Sequence, residues 1–187
     1  SQFADITRAA VAAVDCQVGV HAHNAADTAV ANSLAGIEAG ATQVQGAANG
    51  YGDMTGNANM FSIIANLKIK MAIDCVTDEQ LQHLTEVAHY VSEIANIPPS
   101  GRAPYVGTAA FTHKAGLHAS AVAKVEQSYQ HIPPQVVGNA TQVLGSELAG
   151  RGNVAFKLRE LGLADQATPE SVRHLVEVVK ERESRGF

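Results

Sequence analysis

The sequence has no tryptophan, only two cysteines in 187 residues, and no unbroken apolar stretch long enough to span a bilayer. Each shortage excludes something. Cys16 and Cys75 are too few and too far apart for a disulfide framework, and they read as two reduced, buried thiols of a cytosolic protein. The missing apolar run excludes a transmembrane helix. Basic residues never cluster and the net charge is −5, which excludes a strong field for nucleic acid or an anionic membrane. The opening residues, Ser1-Gln2-Phe3-Ala4-Asp5, lack the charged and then apolar regions of a signal peptide. There is no initiating methionine, so the chain reads as beginning inside a longer, cytoplasmic protein.

What is present suits an ordinary globular chain. Hydrophobic residues make up 46% and charged residues 17%. Alanine and glycine are abundant, as close-packed helices and tight turns require. The length is enough for one sizeable domain, or one domain with an appendage.

The first part of the chain alternates. Phe3, Ile6, Ala10, Ala13 and Val14 recur at helical spacing, so residues 3–14 are expected to be helical. A strand is expected at 17–23, a helix at 26–39 ending before Gly40, a strand at 42–48 and a helix at 58–69. Short connections between such elements imply parallel strands with crossover helices. Two strands are too few to close a barrel or to make a stable sheet alone. The character changes after residue 75. Thr77-Asp78-Glu79-Gln80 has the form of a capping box, opening a helix with Leu81, Leu84, Val87, Ala88, Val91, Ile94 and Ala95 on one face. Pro98-Pro99 break it, and residues 100–110 read as a linker. Further helices are expected at 114–126, at 153–162, and from the Thr168-Pro169 start onward.

Three constellations can carry chemistry. His21 and His23 alternate onto one face of the first strand, an arrangement that either holds one metal ion or forms a hydrogen-bonded core pair. The loop after the second strand runs from Asn49 to Asn57 through Gly50, Gly52 and Gly56. In parallel α/β folds the loops at strand C-termini build the site, and a carboxamide oxygen from Asn57 can complete a mixed nitrogen and oxygen coordination sphere; the alternative is a simple turn. The third is Phe111-Thr112-His113-Lys114-Ala115-Gly116-Leu117-His118, followed eleven positions after His118 by Tyr129. An imidazole and a phenol can act together in acid–base catalysis, or these can be polar surface residues.

Taken in order, HxHN, QVQGxxNGYGxxxGNANxxSIIxNLxxKM, SEIANxPP, PYVGxxAFxHKxGxHxSAV, YxHIxPxxVGN and SELxGRxN resemble the acyl-CoA-condensing branch of the DRE-TIM metallolyases. That branch holds the citramalate, isopropylmalate and homocitrate synthases, and the wording here is closest to its citramalate members. The resemblance covers about residues 1–185. It implies an α/β fold: the last strands and helices of a (β/α)8 TIM barrel over residues 1–75, then a mostly helical subdomain over 76–187 that precedes a regulatory domain. It also implies a metal-dependent Claisen-type condensation of acetyl-CoA with an α-keto acid, with pyruvate giving citramalate for isoleucine biosynthesis. The runner-up is 2-isopropylmalate synthesis, and a chain this short could instead be a non-catalytic dimerisation scaffold.

By position, His21, His23 and Asn57 inherit the role of metal ligands for Mg2+, Mn2+ or Zn2+, and His118 and Tyr129 that of a catalytic pair. The fourth family ligand, an Asp on the first barrel strand, has no counterpart motif in residues 1–187. A homodimer is implied, with the subdomain of one subunit reaching over the barrel of its partner. Two departures stand out. The family pattern HxHND meets Ala25 here, and NGxGER meets Asp53-Met54. Each removes a charged group near the expected metal, a change that commonly weakens affinity or activity.

Overall fold

The computed structural model describes residues 1–113, 130–140, 142–143 and 151–185. It divides into two compact units, Ser1–Gly107 and Thr108–Phe187.

In the first unit, α1 (Gln2–Ala13) begins at Ser1, whose hydroxyl accepts from the Ala4 amide. Strand β1 (Gly19–His21), helix α2 (Ala29–Glu38) and strand β2 (Gln43–Gln45) follow. The two strands are parallel, with Gly19, Val20 and His21 opposite Gln43, Val44 and Gln45. The strand–helix–strand order anticipated from periodicity is therefore present, with shorter elements. Helix α2 packs against α1 and β1. Val20 is buried while Gly19 and His21 are exposed, so the apolar layer lies on the α2 side and the histidines face away from it.

Helix α3 (Met60–Ala65) is capped by Asn59, whose side-chain oxygen accepts from the Phe61 amide. It continues as a π-helical turn, Asn66–Lys70, where Met71 N donates to Asn66 O. Asn66 explains the irregularity. Its amide donates to Ser62 O at 2.8 Å, and its oxygen accepts from the buried Tyr105 hydroxyl at 3.2 Å, so the side chain draws on groups at the edge of the helix. The core beneath the strand ends is Ala22, Ala29, Ala58, Ile63 and Leu67, with Val30, Leu34, Val44 and Met60 packed around it. Three alanines at its centre let the strand, the loop and two helices approach closely.

The capping box at Thr77 is present in both directions, Thr77 Oγ1 accepting from Gln80 N and Gln80 Oε1 from Thr77 N. The single helix expected after it is two pieces, α4 (Asp78–Leu81) and α5 (Leu84–Ala95), broken at Gln82-His83. The buried face also differs from the expected stripe. Leu84, Ala88 and Ser92 are buried, whereas Val87 and Ile94 are exposed. On that buried face Ser92 meets the side chains of Asn49 and Tyr51. The stretch read as a linker holds no regular helix or strand and contains the boundary between the two units, with Tyr105 and Val106 buried in it. Cys16 and Cys75 are both exposed, which corrects their reading as buried thiols: each sits in a bend outside the regular elements.

The second unit contains a small parallel pair that periodicity did not anticipate, β3 (Thr112–His113) with β4 (Gln142–Val143). Phe111, Ile132, Pro134 and Val137 are buried, and the Phe111 ring stacks on His131 at 6.1 Å. Helices α6 (Arg151–Glu160) and α7 (Pro169–Ser184) pack together. Thr168 caps α7 reciprocally with Ser171. The helix expected at 114–126 lies outside the described residues.

Candidate metal centre

After His21 the chain stays extended through Ala22 and His23, and the two imidazoles meet edge to face with centroids 5.1 Å apart. Both residues are exposed. The expected buried strand is thus buried on one side only, and the reading as a hydrogen-bonded core pair is overturned: the rings touch each other and make no hydrogen bond among the described residues.

The glycine-rich loop brings Asn57 to them. It leaves β2, passes through a short 3₁₀ turn at Ala48–Gly50, and returns as an extended segment at the C-terminal ends of both strands. Ala58 N donates to Ala22 O at 3.0 Å and Asn24 N donates to Gly56 O at 2.8 Å. These bonds flank an antiparallel pair of His23 with Asn57. That is the closely spaced, non-hydrogen-bonded type of pair, in which facing side chains leave the same side about 4.5–5.5 Å apart. On the other side Ala47 N donates to Ala58 O and Met60 N to Ala47 O. The segment carrying Asn57 is therefore wedged between the two strand ends, and His21, His23 and Asn57 share one mouth.

The Asn57 carboxamide is held in one orientation. Its nitrogen donates to Tyr51 O at 3.0 Å. Its oxygen is buried and has no hydrogen-bond partner among the described residues. Leaving a buried acceptor unpaired costs about 1–3 kcal/mol, so this oxygen points to a missing electrophile or donor. Gly52 makes the arrangement possible. Its φ is +150°, and a Cβ there would run into the Asn57 side-chain nitrogen. Two imidazole nitrogens and a carboxamide oxygen form a neutral mixed donor set of the kind divalent first-row ions accept. The residues present thus fit an ion. Among the described residues no group of three His, Cys, Asp or Glu side chains forms a cluster, so the carboxamide is what turns the pair into a site.

A cavity of about 430 Å³ adjoins Asn57 and is lined in part by Asn24, Asp27, Thr55, Asn66 and Tyr105. Asn24 is fixed from both sides, its oxygen accepting from Ala29 N and its nitrogen donating to Asp27 Oδ1, each at 3.2 Å. Ala25 itself is exposed and carries no polar group, but a carboxylate is present two positions on, at Asp27. Met54 is exposed at the loop tip, with a left-handed φ of 54°. Burial raises the Tyr105 phenol above its ordinary value, so it stays protonated through neutral pH.

Residues not singled out by spacing also serve the site. Asn49, with φ 54°, donates to Ala88 O at 2.8 Å and to Ser92 Oγ at 3.1 Å. Tyr51 and Ser92 hydroxyls lie 3.1 Å apart. The NGYG wording of the loop was the only signal for these contacts. His118 and Tyr129 lie outside the described residues.

Comparison with known proteins agrees with this architecture. Residues 1–91 match the HMGL-like family and residues 105–186 the homocitrate synthase post-HMGL domain-like family. An (R)-citramalate synthase of Aquifex aeolicus is 49% identical over 174 residues, 92% of this chain and 33% of the relative. An (R)-citramalate synthase of Streptomyces coelicolor is 42% identical over 187 residues, 100% of this chain and 35% of the relative. A homocitrate synthase of Pyrococcus abyssi is 37% identical over 164 residues, 88% of this chain and 45% of the relative. The chain spans about a third of the length of the curated citramalate synthases it matches.

Proposed function

This chain belongs to the HMGL-like family over residues 1–91 and to the homocitrate synthase post-HMGL domain-like family over residues 105–186, and from that premise we propose that it is the metal-binding and subdomain part of a citramalate synthase. The reaction joins the methyl carbon of acetyl-CoA to the keto carbon of pyruvate, and water then cleaves the thioester to release citramalate and free CoA. HMGL-like membership carries the TIM-barrel fold. Within it, residues 1–75 are the closing part of the barrel and 76–187 the helical subdomain. His21, His23 and Asn57 hold a divalent ion. The protein works in the cytoplasm as a homodimer whose subdomain reaches over the partner's barrel. No helix among the described residues is long and apolar enough to cross a membrane, in keeping with that setting.

The observation that carries the proposal is the Asn57 oxygen, buried and without a hydrogen-bond partner among the described residues, on a residue that stands opposite His23 across the strand end. A bound divalent ion supplies Lewis acidity toward the keto group of the substrate. The chain's own residues do the rest. Neutral imidazoles and an amide add no negative charge of their own, so they would lower the electrophilicity of an ion they hold less than anionic ligands would. Tyr51 O orients the Asn57 amide so that its oxygen, not its nitrogen, faces the ion. His118 and Tyr129 polarise the thioester carbonyl or relay the methyl proton.

The test is thiol release. Residues 1–187, and the same chain joined to the N-terminal barrel half of a citramalate synthase relative, are each given Mn2+, pyruvate and acetyl-CoA. Release from the joined protein, lost in His23→Ala and replaced by no greater rate with 2-oxoisovalerate, is the expected result. No release from the joined protein contradicts the reading, and preference for 2-oxoisovalerate moves the substrate to that of an isopropylmalate synthase.

A further inference from the structure

We propose that helix α5 positions the Asn57 carboxamide through Ser92, so that a residue of the helical part tunes metal affinity without touching the metal. The proposal rests on Asn57 being a ligand.

The Ser92 hydroxyl is buried and its bonding is fully accounted for. Its one proton goes to Ala88 O, at 3.1 Å, one helical turn back. Both remaining positions on the oxygen must then accept. One accepts from Asn49 Nδ2 at 3.1 Å, and the other from the Tyr51 hydroxyl at 3.1 Å. The direction of the Tyr51 bond follows: the phenol donates. Asn49 sends a second bond to Ala88 O at 2.8 Å. Both ends of the segment 49–51 are therefore fastened to one turn of α5. The main-chain oxygen of Tyr51 is the group that receives the Asn57 amide. A path of four groups thus runs from α5 to the metal ligand: Ser92 Oγ, Tyr51 side chain, Tyr51 carbonyl, Asn57 carboxamide.

Two features, the helix-interior hydroxyl at Ser92 and the left-handed Asn49, argue that this path is more than incidental packing. A buried serine inside a helix is a poorer helix former than alanine, and its back-bond to residue 88 competes with the helical ladder. The position keeps a hydroxyl where alanine would be locally better, and the contacts with Asn49 and Tyr51 are what the hydroxyl gains. Asn49 is also held at φ 54°, a conformation non-glycine residues adopt at a cost. Its two bonds to α5 hold it there.

The test is Mn2+ affinity by calorimetric titration of the full chain, with Ser92→Ala, Tyr51→Phe, the double variant, Asn57→Ala, and Val87→Ala as an exposed control on the same helix. Partners that orient a ligand are worth about tenfold or more in affinity. Ser92→Ala and Tyr51→Phe are each expected to weaken Mn2+ binding about tenfold, with the double variant no weaker than the worse single one, because both act through one path. Val87→Ala is expected to stay within about twofold. Tyr51 is only half-buried, so Tyr51→Phe keeps the test open should Ser92→Ala misfold. If Asn57→Ala weakens Mn2+ but Ser92→Ala and Tyr51→Phe do not, the positioning proposal is overturned and the metal reading stands. If Asn57→Ala leaves Mn2+ affinity unchanged, the metal reading falls and takes the positioning proposal with it.

Discussion

The two arms that meet at the strand ends are built in opposite ways. The histidine arm is a plain strand end: His21 and His23 are exposed and their rings meet edge to face. The Asn57 arm is over-determined. It is wedged between two backbone ladders, clamped by Tyr51 O, closed on by Gly52 and tied to α5. A metal-bound histidine usually has its second ring nitrogen fixed by a partner. Neither imidazole has one among the described residues, so preorganisation here comes from the carboxamide side. The difference teaches that the weaker donor is the better-placed one, and that disturbing its support should cost nearly as much as removing it.

The strongest way to break that contrast is at two glycines with positive φ. At Gly52 a new methyl collides with the Asn57 amide, whereas at Gly162, with φ +69°, it meets nothing among the described residues. Gly52→Ala is expected to weaken Mn2+ binding about tenfold or more, since it turns the ligand itself. Gly162→Ala carries a left-handed cost of about 1–2 kcal/mol in stability and leaves Mn2+ affinity alone. Titration and melting of the two variants separate these effects. Equal affinities would mean the loop does not hold Asn57.

A smaller effect sharpens the picture of the frame behind the site. Lys68, in the middle of the turn after α3, bridges Asp74 at 2.5 Å and Asp78 at 3.2 Å. The Lys68 hydrogen bond holds Asp74 below the ordinary carboxylate range, and the bonds from Asp74 and then Asp78 hold Lys68 above its own. The carboxylate share of this stability is present above the ordinary carboxylate value and is lost as pH falls through the lowered one. The lysine share is lost only as pH rises through its raised value. Asp74→Asn should therefore lower the melting temperature slightly at neutral pH, with the gap from the parent closing below about pH 4. A gap that persists in acid would assign the effect to packing.

Much of this was legible in residue order. The alternation of helix and strand, the one-sided placement of His21 and His23, the loop ending in Asn57 and the capping box at Thr77 follow from local spacing, because each depends on residues within a few positions. What spacing could not reach is non-local. Asn49 and Ser92 are 43 positions apart, and nothing in the period of α5 marks Ser92 as an anchor. The expected apolar face of α5 is partly outward at Val87 and Ile94, while Ser92 lies on the buried side. The π-helical turn at Asn66 depends on Tyr105, 39 positions on, and the β3–β4 pair joins segments about 30 residues apart. The chemistry at Ala25 is a further case: the sequence shows a lost acid, while the structure supplies Asp27 bonded to Asn24.

The central claim is that His21, His23 and Asn57 hold one ion. Pulsed electron paramagnetic resonance of the Mn2+-loaded chain tests it most directly. The account predicts nitrogen couplings from two imidazoles, reduced to one in His23→Ala and still two in Asn57→Ala at higher Mn2+ concentration. A spectrum of Mn2+ without imidazole coupling would contradict it.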